Sequence, residues 1–198
     1  MNRNAAQCTF TTEYFDYQSG KSKEFRCDQL PLGNKDLCLF HDEAYLKGSD
    51  HQGDEGSVVS RRLHRRVENS VIDKRPLVCI GYYLPGTKID GKFKQPVYFN
   101  SCKFSGVTDF TKAVFSSDVS FTDALFSSEA IFYRATFSCV ADFNYALFSS
   151  EVVFCWATFS GVADFTKAKF LDRTDFYCAT FLVEPLFSNT TFSGVVDF

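Results

Sequence analysis

The chain of 198 residues has one Trp, one Met and three His, and a formal net charge of -3. No apolar run nears the roughly 18 to 20 residues that a membrane-spanning helix needs. The start, Met1-Asn2-Arg3-Asn4-Ala5-Ala6-Gln7-Cys8, lacks the apolar stretch of a secretory signal. The expectation is therefore a soluble, cytoplasmic protein, whose eight Cys act mainly as thiols or metal ligands. The slight acidity is at odds with a globally basic nucleic-acid binder. There is no Gly-rich phosphate loop, no G-x-S-x-G, and no His at all beyond His64. These absences leave an enzyme without an evident nucleophile, base or phosphate cradle, and the chain reads as non-catalytic.

What is abundant is Phe, with 24 copies. From Phe93 to Phe198, 20 of them fall on one ladder whose spacing alternates six, five, six, five without a break. The residue two places before each ladder Phe is always small, and ten of these are Ala, as in Ala113, Ala135, Ala157 and Ala179. Comparing Phe126–Leu147 with Phe148–Lys169 gives 14 identities in 22 positions, so the larger period is 22. The residue inserted in alternate units is often charged (Asp118, Glu129, Glu151, Arg173, Glu184) or Val (Val107, Val140, Val162, Val195). A charged insert suits an outward corner. An α-helix is excluded, because steps of five and six put successive Phe on different helix faces. A conventional strand would alternate every second residue.

The unit A-x-F-x-x, with its central Phe and preceding small residue, resembles the pentapeptide-repeat family in its variety with alternating five- and six-residue units. The resemblance covers residues 93–198, about half the chain. It implies a mainly β fold, a right-handed quadrilateral β-helix with four sides per coil, Phe and the small residue pointing inward. At about 4.8 Å per coil, nearly five coils make a rod of about 23 Å. Ahead of it, residues 76–92 offer a cap: Pro76 to Pro85 is apolar and strand-like, and Gly86 to Gly91 turns into the first coil. At the other end Phe198 is itself a ladder position, so the expectation is either a longer natural chain or an end-to-end homodimer through the open coil. Pro185 interrupts the small series and lacks an amide donor, which predicts an irregular last coil.

The first 45 residues carry a second pattern. Cys38-Leu39-Phe40-His41 has the C-x2-H spacing that brings two side chains to one ion, and Cys8 and Cys27 complete a Cys3His set. Four protein ligands leave no open position for water, which is the arrangement of a structural zinc site. Turn signals at Gly20-Lys21-Ser22 and Pro31-Leu32-Gly33-Asn34 separate the ligands. The segment has few apolar residues, and metal would supply the missing stability. It resembles the small Cys3His knuckles that accompany such repeats. His51 reads as solvated. Cys79 and Cys102 read as structural, while Cys139, Cys155 and Cys178 fall at solvent-facing repeat positions.

Residues 46–56 read as a polar linker, and residues 57–92 as a capping helix and strand. Val59, Leu63, Val67 and Val71 recur every fourth residue on one helix face, with Ser57 or Ser60 as the cap and Lys74-Arg75-Pro76 as the stop. Opposite lie Arg61, Arg62, His64, Arg65 and Arg66. They are either a solvated face or an anion contact, and Arg61, Arg62, Arg65 and Arg66 are the candidates for nucleic-acid binding.

The function expected is a structural scaffold that binds a macromolecular partner, most simply a protein, through the β-helix faces. Tyr133, Tyr145, Trp156 and Tyr177 are candidate anchors. Two alternatives stay open. One is nucleic-acid binding through the knuckle and basic helix. The other is DNA-mimic inhibition of a topoisomerase, for which the repeat's eleven acidic against seven basic residues are a weak charge.

Overall fold

The computed structural model describes residues 7–17, 19–31, 36–47 and 55–198. From Leu77 onward the chain coils into a four-sided solenoid of two-residue strands, stacked as two parallel sheets of five strands and two of six. In the Phe-rich part the register is 22 residues throughout, as in Phe115 on Phe137 and Phe126 on Phe148.

Why these residues form this shape follows from the unit. The small residue and the Phe both point inward, and from Phe93 to Phe176 every ladder Phe is buried. Each ring lies flat on the ring one coil away, at 4.6 Å for Phe104–Phe126 and 5.4 Å for Phe99–Phe121. Rings of opposite sides meet edge-on across the core, as Phe121 and Phe132 do at 5.6 Å. Offset stacks and edge contacts are the arrangements aromatic quadrupoles favour. Where Thr replaces Ala inward, its hydroxyl finds a backbone acceptor: Thr108 donates to the Gly106 carbonyl at 3.1 Å.

The five-residue units close on a tight turn, with Ala113 N–H donating to Phe110 C=O at 3.0 Å and Ala135 N–H to Phe132 C=O at 3.0 Å. The third turn residue has positive φ, which defines a type II turn. That position recurs every eleven residues from Ser101 (φ 56) through Lys112, Asp123, Arg134, Tyr145 and Trp156 to Asn189, and none of them is Gly. Aspartates just before the Phe brace many corners. Asp109, Asp142, Asp164 and Asp175 each accept the N–H of the residue two places on, the one that follows the Phe, at 2.8 to 2.9 Å. The Val inserts stand outward, with Val107 and Val195 exposed.

The solenoid has about six turns, one more than the Phe ladder counts. The extra turn comes from β3 (Leu77–Val78), β4 (Tyr83–Leu84) and β5 (Thr87–Lys88), which pair with the coil above exactly as later coils do in kind but not in spacing. Leu84 sits under Phe104, and Val78 under Tyr98. Residues 76–92 are thus the first coil itself, with Cys79, Leu84 and Ile89 buried in place of Phe. At the far end the irregularity expected at Pro185 is present: that side's last rung shrinks to a single bridge between Asp164 and Leu186.

The cap lies further upstream. Helix α2 runs Glu55–Asp73, two residues earlier than the sequence reading, so Ser57 and Ser60 lie within it rather than at its start. Val59, Leu63 and Val67 are buried, whereas Val71 is exposed. Three buried apolar side chains contribute about 1.5–3 kcal/mol each. The supposed linker is partly helical, since α1 spans Glu43–Lys47 and α2 starts at Glu55. Its residues 48–54, with His51, and Leu32-Gly33-Asn34 of the second turn signal lie outside the described residues.

An antiparallel hairpin, β1 (Thr11–Asp16) and β2 (Lys21–Arg26), lies against the flank of the solenoid. Tyr98 Oη donates to Asp16 Oδ1 at 2.6 Å, Tyr14 meets Tyr98 edge-on at 5.0 Å, and Tyr17 Oη donates to Asp142. Asp16 is buried and also accepts Ser19 Oγ at 2.6 Å and pairs with Lys23. The sequence reading had placed no strands here.

Candidate metal centre

Cys8, Cys27, Cys38 and His41 converge at the base of the hairpin, all four buried, with their ligand atoms within 4.8 Å of one another. Among the described residues this is the only cluster of His, Cys, Asp and Glu close enough to hold a metal ion. Each ligand is placed by backbone bonds. Cys8 N–H donates to Gln29 C=O and Cys27 N–H to Phe10 C=O, which ties the two chain segments at the foot of the hairpin. Cys38 and His41 share a tight turn, with His41 N–H donating to Cys38 C=O at 3.0 Å.

The edges of the cluster test the fit to an ion. Metal–sulfur bonds of about 2.3 Å and a metal–nitrogen bond of about 2.05 Å in a tetrahedron imply S···S near 3.75 Å and S···N near 3.55 Å, all approximate. Cys27 Sγ and Cys38 Sγ are 3.7 Å apart, Cys8 Sγ and His41 Nδ1 3.5 Å, and Cys38 Sγ and His41 Nδ1 3.3 Å. The donors fit. The outer hydrogen bond also fits: His41 Nε2 lies 2.9 Å from Ile80 C=O, so it carries the proton and Nδ1 faces the thiols with its lone pair. Cys38 N–H donates to Cys8 Sγ at 3.3 Å, a bond that favours a thiolate there.

The thiols are already uneven. The hydrogen bond from Cys27 holds the Cys38 thiol below its ordinary value, with His41 and the Phe40 amide helping against burial. Cys27, which donates that bond and is buried, is pushed up. A site in which a thiolate forms readily is ready to bind a cation.

Aromatic packing fixes this cluster onto the first coil. Phe10 stacks on the His41 ring at 3.8 Å, and Phe40 stacks on Tyr82 at 4.3 Å. Tyr83 N–H donates to Phe40 C=O at 2.8 Å. Gly81 is required under this stack: its φ is +68°, and a Cβ there would lie 2.3 Å from the Phe10 ring. Arg66 joins the lid to α2, donating to Val78 C=O at 3.1 Å, with its guanidinium 5.8 Å from the Tyr82 ring centre and an ion pair to Asp28. It is therefore a structural member of the cap, whereas Arg61, Arg62 and Arg65 face solvent.

The other cysteines sit as expected: Cys79 and Cys102 are buried, and Cys139 and Cys178 exposed. Burial, with Asp175 beside it, raises the Cys155 thiol to about 11. Of the candidate anchors, Tyr145, Trp156 and Tyr177 are about half exposed, and Tyr133 is partly covered.

Fold and site together define a four-sided, Phe-cored β-solenoid closed at its N-terminal end by a Cys3His lid, a cluster that could bind a metal. The family model for pentapeptide repeats matches residues 92–136 in nine copies, and the solenoid is a pentapeptide-repeat solenoid. Its 22-residue register continues unchanged beyond the matched segment to Phe192 and Asp197. No curated protein and no solved structure matches the chain. Solenoids of this kind are commonly interaction scaffolds and generally structural rather than catalytic. No helix among the described residues is long and apolar enough to cross a membrane.

Proposed function

We propose that this chain is a non-catalytic scaffold that binds a protein partner through a flank of the solenoid, with a structural zinc ion on Cys8, Cys27, Cys38 and His41 locking its N-terminal lid. The observation that carries the binding role is a ridge of Tyr133, Arg134, Trp156 and Tyr177 on one edge. The Arg134 guanidinium lies 5.2 Å from the Tyr133 ring centre and 5.9 Å from that of Trp156, and Trp156 meets Tyr177 edge-on at 6.5 Å. Tyr, Trp and Arg are the residue types that dominate protein interfaces. The type II corners hold Arg134 and Trp156 outward on successive coils (φ 55 and 59). Zinc is favoured over other ions by the thiolate-rich, four-ligand donor set.

The aspartates Asp109, Asp142, Asp164 and Asp175 brace the corners, which leaves seven of the repeat's eleven acidic groups, matched by its seven basic ones, to imitate phosphates. With Arg66 engaged in the cap, a nucleic-acid surface on α2 would rest on three arginines. The protein-scaffold reading is therefore preferred over both alternatives.

The test is capture of partners by the whole chain, by Trp156→Ala/Tyr177→Ala, and by Arg61→Ala/Arg62→Ala/Arg65→Ala. Loss of the partner with the ridge variant alone, by about 30-fold or more in affinity, supports the reading. A partner that survives the ridge substitutions and leaves with the helix substitutions would overturn it.

A further inference from the structure

The aromatic ridge has a spacing of its own. Tyr133, Cys155 and Tyr177 hold the same corner position on three successive coils. Arg134 N–H donates to Cys155 C=O and Trp156 N–H to Tyr177 C=O, both at 3.0 Å, which fixes the three in register. Two large rings are thus separated by one small side chain, over an interval of two coils, about 9.6 Å. Val153, half-buried on the outward face of its strand, lies at the foot of this gap. Trp156, about half exposed, stands beside it and meets Tyr177 edge-on at 6.5 Å.

That interval selects among the conformations of a bound peptide. An α-helix returns to one face after about 5.4 Å and again after about 10.8 Å. An extended strand returns after about 6.7 Å. A polyproline II helix returns every three residues, about 9.3 Å, and it alone keeps step with both tyrosines. The other modes of peptide capture also lack their surface. Strand addition needs a free sheet edge, whereas the strands that carry the ridge are paired on both sides. An amphipathic helix needs an apolar groove, and the ridge is a corner. Aromatic rings at a regular spacing are what grips polyproline II, because proline rings settle between them and the fixed φ of Pro leaves little entropy to lose.

Charge sets the second feature of the occupant. Lys112 and Arg134 share the next corner position one coil apart, both exposed, and neither has an ion pair among the described residues. Asp109, on the strand that leads to Lys112, is turned instead to the Thr111 amide at 2.8 Å. The Arg134 guanidinium rests between two rings, 5.2 Å from the Tyr133 centre and 5.9 Å from that of Trp156. Toward the other end Glu151, Asp175 and Asp197 are already paired with Arg173. The free charge of the ridge is therefore positive and sits at its N-terminal end, where it complements a carboxylate.

We infer that the ridge receives a proline-rich segment of the partner in the polyproline II conformation, laid along the rod, with an acidic residue at the end that meets Lys112 and Arg134. This occupant presupposes that the ridge is the binding surface. Trp156 is the only Trp of the chain, so its emission reports occupancy directly. The probe is a heptaproline peptide carrying Asp-Glu at one terminus, made in both orientations and titrated into the whole chain. Heptaproline ending in Lys-Lys and a Gly-Ser heptamer ending in Asp-Glu are the controls. A saturable blue shift with a Kd of about 10–100 µM is expected, weakened about tenfold or more by Tyr177→Ala and about fivefold by Arg134→Asn. Tyr177 is 56% exposed and Asn is accepted at the positive φ of residue 134, so both variants keep the stack. No saturable shift with either acidic heptaproline, an equal response to either control, or binding unchanged by Tyr177→Ala overturns the proposal. So does a concentration-dependent shift without peptide, which would put a second copy of the chain on the ridge. A captured partner that leaves with the ridge variant, with no heptaproline binding, removes the polyproline occupant and keeps the scaffold reading. Heptaproline binding beside a captured partner indifferent to the ridge variant removes the scaffold reading and keeps the polyproline site.

Discussion

Phe143 lies at the middle of the solenoid, fully buried, and its replacement by Ala probes the stack where it cannot relax. Its ring is sandwiched by Phe121 at 4.9 Å and Phe165 at 5.0 Å, and Phe132 and Phe154 meet it edge-on at 5.6 and 5.7 Å. Removing it deletes these contacts and two wider ones, to Phe137 and Phe148 at 6.2 Å, and leaves a hole whose walls are held by backbone bonds, such as Phe143 N–H to Asp164 C=O at 2.7 Å. A rigid hole puts the loss in the upper part of the range for Phe→Ala, about 4–5 kcal/mol. Phe198 occupies the same repeat position but is 75% exposed and stacks only on Phe176, at 5.3 Å. Its removal should cost under about 1 kcal/mol. Thermal unfolding followed by circular dichroism separates the two, with a Tm lowered by about 10 °C or more for Phe143→Ala and by at most about 3 °C for Phe198→Ala. Equal shifts would refute the claim that stacked rings, rather than the backbone ladder, hold the coils.

Chelation at neutral pH should abolish hydrogen-exchange protection of the Cys8 and Cys27 amides while that of Phe143 persists; loss of both together would mean that the lid and solenoid are one cooperative unit. Gly81→Ala should drive the Phe10 ring out of its stack on His41 and lower zinc affinity by about tenfold or more, read by competition with a colorimetric chelator; unchanged affinity would show that the ring is free to move. Asp16 has a pH signature. Burial works to raise its carboxyl, but the bonds from Lys23, Ser19 and Tyr98 outweigh it and leave the group well below its ordinary 3.8. A depressed folded value stabilises above 3.8 and is lost as the pH falls below it. Hairpin amides should therefore lose protection on acidification from about pH 4 downward, Asp16→Asn should reproduce the loss at neutral pH, and full protection at about pH 2 would contradict the assignment.

The repeat was legible because one side chain, Phe, does one job at a fixed interval. The coil that precedes it was not. Cys79, Leu84 and Ile89 fill the same interior positions, but their spacing is five and five and their chemistry is mixed, so no periodicity betrays them. The Cys3His cluster could be read from the C-x2-H pair, because a site able to hold a metal demands particular residue types. The hairpin could not. Its strands, Thr-Thr-Glu-Tyr-Phe-Asp and Lys-Ser-Lys-Glu-Phe-Arg, are too polar for an amphipathic pattern. What holds them is long-range, through Tyr98 and Asp142, which a local reading never brings together. The early start of α2 has a simpler source. Ser57 and Ser60 look like caps in isolation, yet a helix already under way absorbs them.

The constant register has a kinetic and mechanical side. Every Phe-bearing strand finds its partner one coil away along the chain, so closing each new rung costs the entropy of one short loop, and that cost does not grow as the rod lengthens. Assembly can then advance coil by coil from a seeded end, and α2 with the Cys3His lid provides such a seed. Under tension the same geometry works in reverse. A pull on the C-terminus loads one rung at a time, so the rod should give way in small, repeated steps of about 22 residues rather than in a single rupture.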